Sequence, residues 1–150
     1  MKNHAQVAIL FAGLFLVIVF GSSCSKAEDS SGQPKEQLII GHWNTNRVQL
    51  RLYYGGVFSK DTIIKQTPKP ENFVEFGAGA SFEFRFNTAT SDIGTYQFVG
   101  LDSLISTTPN KIYRWKWLTL TNQLFTAMTT SNNDPAWPGA TVETYYTFVH

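Results

Sequence analysis

A chain of 150 residues has room for one ordinary domain, because single hydrophobic cores are typically built from about 100 to 200 residues. Twelve Lys and Arg against 11 Asp and Glu leave a formal net charge of +1. No long-range field therefore draws the protein to nucleic acid or to an acidic substrate, and its partners are selected by local contacts. Aromatic residues make up 15% of the chain, and beyond the first 36 residues they sit among Thr, Val and Ile, which is the composition of strands.

Residues 1–23 read as a secretory signal. Lys2 supplies the positive start, Val7 to Phe20 is a nearly unbroken apolar run, and the small residues Gly21, Ser22 and Ser23 follow. The run is shorter than the roughly 20 residues needed to cross a hydrocarbon core, which argues against a permanent transmembrane helix and leaves a signal-anchor as the other reading. Cys24 is the only cysteine, so no disulfide forms within the chain, and the polar stretch beside it is a poor place to bury a thiol. A free thiol or an intermolecular disulfide remains the plain alternative. Small residues directly before a cysteine resemble the lipobox of bacterial lipoproteins, in the looser form of Bacteroidetes, with Gly21 where Leu is usual. The resemblance implies cleavage before Cys24 and diacylglycerol on its thiol. Several acyl chains, at about 0.8 kcal/mol per buried methylene, would hold a small domain on a membrane.

Residues 24–36 then contain no aliphatic side chain larger than Ala27 and no aromatic one, so they read as a flexible tether. Lys26 followed by Glu28 and Asp29 resembles the signal that sends Bacteroidetes lipoproteins to the outer face of the outer membrane. An ordinary solvated spacer has the same composition. An outer-membrane lipoprotein, on the periplasmic or the cell-surface side, is the expected location.

From residue 37 to residue 150 short apolar and aromatic runs alternate with turn signals, and no helical period is sustained. In "HWNTNRVQLRLYY" Val48, Leu50 and Leu52 share one face, and Gly55 and Gly56 turn the chain back into "VFSKDTIIKQ", a hairpin pattern. A Pro-bearing loop leads to "FVEFG" and then to "SFEFRFN", where Phe82, Phe84 and Phe86 point one way and Glu83 and Arg85 the other. "GTYQFVG", "LDSLIST", "IYRWKWLTLT", "QLFTAMTT" and "TVETYYTFV" continue the alternation. About eight or nine strands with short turns and no crossover helices predict an all-β, antiparallel up-and-down barrel, with a β-sandwich as the alternative. Trp137, between two prolines in "NNDPAWPG", belongs to no strand and is placed to cap one mouth of such a barrel.

Gly41 and Trp43 form a GxW element at the head of the first strand. It resembles the lipocalin superfamily, and in particular the small lipocalin-like lipoproteins of Bacteroidetes, whose last strands "GTYQF", "RWKWLTLTNQLF" and "ETYYTFVH" also look like. The resemblance implies a calycin-type barrel with Trp43 packed across its closed end, under a basic side chain from the final strand. His150 ends this chain and would take the place of the usual Arg or Lys, with Arg47 and Arg114 as the other candidates. The second lipocalin signature, an Asp-Tyr type turn, is not found, so a full fatty-acid-binding lipocalin is not implied.

Catalytic patterns are sparse. After processing, His42 and His150 stand at opposite ends of the chain without Cys or clustered carboxylates, a poor basis for a metal site. No G-x-S-x-G, P-loop or H-E-x-x-H occurs. Glu75, Glu83, Asp102 and Glu143 would serve glycoside hydrolysis only if two of them converged inside the barrel, and their alternating positions suit solvated faces. No enzyme activity and no cofactor are expected. The aromatic row is more informative. Tyr113, Trp115 and Trp117 share one face about 7 Å apart per step, and they either build a core or, with Phe82, Phe84, Phe86, Tyr146 and Phe148, line a pocket. The expected function is therefore non-catalytic binding of a small apolar ligand or an envelope partner by a membrane-anchored barrel. The alternatives are a carbohydrate-binding surface domain using exposed Trp115, Trp117 or Trp137, and a structural lipoprotein with a filled core.

Overall fold

The alternation becomes an antiparallel sheet closed on itself in the computed structural model, which describes residues 32–64 and 72–150. The signal segment, Cys24 and the tether residues Lys26, Glu28 and Asp29 lie outside the described residues. A single helical turn, α1 (Lys35–Leu38), precedes β1 (Gly41–Tyr54), β2 (Val57–Ile64), β3 (Phe73–Phe76), β4 (Ser81–Arg85) and β5 (Asp92–Phe98). They are followed by β6 (Ser103–Thr107), β7 (Ile112–Leu120), β8 (Leu124–Ser131) and β9 (Ala140–Val149). Each strand from β3 to β9 pairs with the next, and β9 returns to β1, so eight strands close a barrel without a free edge. The sandwich alternative is thereby excluded, because one continuous ladder runs round the whole circuit.

β1 is long enough to serve two neighbours along one edge. Gly41 to Asn44 pair with β3, and Val48 to Tyr54 pair with β2. β2 and β3 thus follow one another along the same edge, and β4 ends at Arg85, so β2 has β1 as its one strand neighbour among the described residues. The β1–β2 turn holds Gly55 at φ +57° and Gly56 at φ +81°. Positive φ at both central residues is what a two-residue hairpin of the right twist requires. A bulge between Thr45 and Arg47 bends β1 against β9, and a second between Trp117 and Thr119 bends β7 against β8.

Strand alternation decides which side chains enter the barrel. On β7, Tyr113, Trp115 and Trp117 are buried while Ile112, Arg114, Lys116 and Leu118 are exposed. Register carries the same phase round the wall: Leu104 lies opposite Trp115, Phe125 opposite Phe148, and Phe82 opposite Phe76. At one end Leu38 and Ile39 of the α1 segment are buried against this interior and close it. Lys35 and Glu36, grouped by composition with the tether, belong to that helical turn, because a short exposed turn needs no apolar face of its own.

Candidate functional site

The closed end is built on Trp43. Its indole N–H donates to the Ile39 carbonyl at 2.8 Å, its ring lies 5.7 Å from Phe125, and the His150 ring covers it with centroids 3.9 Å apart. Of the three side chains considered as a cover for Trp43, His150 is the one that lies over its ring. The other two candidates are elsewhere: Arg47 donates to Gln49 on the outer wall and Arg114 projects from the outer face of β7. Gly41 has φ +142°, and a β-carbon there would come within 2.8 Å of His150 Cε1. The GxW glycine is therefore required twice, by its backbone and by the ring beside it. His42 points outward and lies 3.1 Å from the Glu75 carboxylate.

Above Trp43 the interior is a column of rings. Phe76 meets Phe82, Tyr96 and Phe125 at 5.1 to 5.9 Å, Trp115 meets Phe82, Phe84, Tyr146 and Phe148 at 5.4 to 6.4 Å, and Phe125 stacks on Phe148 at 5.3 Å. Such pairs contribute about 0.5 to 1.5 kcal/mol each beyond the area they bury. Of the candidate binding residues, Phe82, Phe84, Tyr113, Trp115, Trp117 and Phe148 are buried in this column. Trp115 donates its indole N–H to the Ser106 hydroxyl at 3.1 Å, whereas the Trp117 indole N–H is buried with no acceptor among the described residues.

The column ends at Phe86 and Tyr146, which are only partly buried. Phe84 and Phe86 lie parallel, 6.3 Å apart, and Tyr146 stands edge-on to both at 5.8 and 6.2 Å. Although Tyr146 as a residue is partly exposed, its hydroxyl is enclosed beside Thr129, and burial pushes its pKa up to about 12. The Tyr113 hydroxyl donates to the Asp92 carboxylate, and burial followed by that bond raises the Tyr113 pKa well above the ordinary phenol value.

A second apolar group lies farther along the same inner face. Leu52, Ala140 and Val142 are buried together, with Leu50 and Trp137 packed against them, and they form a cluster separate from the aromatic column. Trp137 is held by the β8–β9 turn, and the Lys60 ammonium reaches to 5.8 Å from its ring. Tyr146, Thr144 and Val142 follow one another at two-residue spacing on β9, so the stretch between the two clusters carries the polar Thr144, and Thr129 faces it across the ladder. At this end of the barrel the partly buried Phe86 and Tyr146 and the polar Thr144 and Thr129 thus lie between the aromatic column and the aliphatic cluster. Leu50, Leu52, Val142 and Asp92 were not among the sequence-based candidates. Their signal is the phase of alternation in β1, β5 and β9, which places them inside only once the register is known.

The four carboxylates considered for hydrolysis stay off the inner face. Glu75 pairs with His42, Glu83 lies 3.8 Å from Arg85, Asp102 lies 3.7 Å from Lys116, and Glu143 accepts from Tyr53 and Tyr145 at 3.0 and 2.7 Å. Among the described residues no group of three His, Cys, Asp or Glu side chains is arranged to hold a metal ion. The outer wall has its own concavity, a groove of about 350 Å³ across β6, β7 and β8 lined by Val99, Ile105, Arg114, Lys116 and Met128 among others. Comparison with known proteins adds no assignment to this geometry: no protein-family model matches the chain, and no curated protein matches it.

Proposed function

We propose that this chain is a lipid-anchored, non-catalytic binding protein of the lipocalin-like lipoprotein type. It is exported by residues 1–23, acylated at Cys24, and takes a small apolar molecule at the open mouth of its barrel. One observation carries the reading: the inward-facing apolar residues fall into two clusters, the aromatic column and the Leu52, Ala140 and Val142 group. Filling of the closed end by rings supports a site above Phe86 and Tyr146 rather than one deep in the barrel. Burial of Trp115 and Trp117 takes two of the three tryptophans considered for sugar stacking away from the surface and leaves the half-buried Trp137 alone for that role.

The test is native mass spectrometry of the processed chain, purified from its own membranes without denaturation, before and after delipidation. A reproducible non-covalent mass that delipidation removes, and that Leu50→Trp at the partly buried position beside the cluster prevents from binding, is the expected result. A bare polypeptide mass under native conditions would sink ligand binding. The mass of the N-terminal peptide reports separately on Cys24, and an unmodified cysteine there would sink the anchoring.

A further inference from the structure

We infer that the protein docks on an anionic phospholipid surface through its closed end, with the β5–β6 turn inserted and the groove across β6, β7 and β8 taking lipid headgroups. The inference rests on the anchoring proposed above and goes beyond it, since a tether alone leaves the barrel free to tumble.

Three independent features meet at this end. The first is apolar exposure. The β5–β6 turn, closed by the Val99 N–H donating to the Ser103 carbonyl at 2.9 Å, holds Leu101 at 89% exposure and Val99 at 46%. Solvent gains nothing from a leucine held at a turn tip, whereas acyl chains do. The second is charge beside that tip. The groove of about 350 Å³ has an apolar floor that includes Ile105 and Met128, and Arg114 and Lys116 stand at its rim. Lys116 is only loosely paired with Asp102, at 3.7 Å with both side chains more than half exposed, and Arg114 has no carboxylate in ion-pair range among the described residues. An apolar floor under two cations matches a phosphate-bearing amphiphile, and basic residues near an anionic leaflet are attracted to it.

The third feature is where the chain enters. α1 leads into the start of β1, which is the end of the barrel that also carries the β5–β6 turn, because β1 begins beside the end of β3 and the strands alternate in direction from there. Cys24 stands eight residues before Gly32, so the chain can carry it no farther than about 29 Å from there. An acylated Cys24 therefore holds the closed end, not the mouth, next to the bilayer, and leaves the mouth facing away.

The test uses the processed, acylated chain carrying Leu101→Cys, reconstituted in vesicles of phosphatidylethanolamine and phosphatidylglycerol. Acylation caps the Cys24 thiol, so an environment-sensitive dye attaches at residue 101 alone. Leu101 is exposed, so the change leaves the core intact. The dye at 101 is expected to shift to the blue and to be quenched by spin-labelled lipids, while the same dye on Asn133→Cys, at the opposite end, is not. For the unacylated Cys24→Ser chain, Arg114→Gln should lower binding to these vesicles about fivefold, the attraction expected of one basic residue near an anionic surface. Equal quenching at 101 and 133 in a chain whose mass shows acylation would overturn the docking and leave the anchoring standing. Binding of the unacylated chain that is indifferent to phosphatidylglycerol would overturn the headgroup role of the groove. A mass without acyl groups would overturn the anchoring and the orientation that the tether imposes, while the vesicle binding of the unacylated chain still decides the headgroup role of the groove.

Discussion

Gly41 and His150 show how one small residue holds the two ends of a domain together. With φ at +142° and the imidazole where a β-carbon would stand, Gly41→Ala should destabilise the barrel by about 1 to 3 kcal/mol, the cost of a residue forced into a backbone region that glycine alone visits freely. Pairing it with His150→Ala separates the causes. Removing the ring relieves the contact and leaves the backbone strain, so the double variant should recover only part of the loss. Urea midpoints of the four proteins in the cycle measure the coupling. A full recovery would mean that the ring alone makes the glycine necessary. Trp43 gains from the same arrangement, because the ring that excludes a β-carbon at residue 41 is the one that covers its indole.

The β1–β2 hairpin is the element whose sequence spoke most directly. Two glycines between alternating segments predict a two-residue turn, and both adopt positive φ. Gly56→Val should therefore cost about 1 to 2 kcal/mol, since a β-branched residue resists that conformation, while Gly55→Asn should be close to neutral. A thermal melt of each variant decides it, and equal losses would show that the turn residues do not set the hairpin. The facing of Phe82, Phe84 and Phe86 and of Tyr113, Trp115 and Trp117 was legible for the same reason, because period-two alternation is a local property of the backbone. What alternation does not carry is neighbourhood. The splitting of one edge of β1 between β2 and β3 depends on where β4 stops. The mouth depends on Leu52 of β1 meeting Val142 of β9 across about 90 intervening residues. The outer groove likewise needs the outward residues of three strands side by side, and none of those strands announces it alone.

For the molecule as a whole, filling the barrel with phenols and indoles ties its stability to alkaline pH. Unfolded tyrosines lose their protons near pH 10, whereas burial raises Tyr146 to about 12 and pushes Tyr113 and Tyr96 upward as well. Below pH 10 this contribution is fully present. As pH rises beyond 10 the unfolded chain releases protons that the native one keeps, so stability falls as pH climbs through the raised values. The urea midpoint should drop between pH 10 and pH 12, and Tyr146→Phe should flatten that drop; an unchanged slope in the variant would exclude Tyr146 as its source. The closure of β1 on β9 has a different consequence, one of timing. The strand that opens the domain takes its long antiparallel partner from the last ten residues before His150. A chain emerging from its N-terminus, whether from a ribosome or across a membrane, has no final partner for β1 until almost the whole sequence has passed. Contacts so distant in sequence also form slowly. The barrel is thus a fold that waits for its last strand.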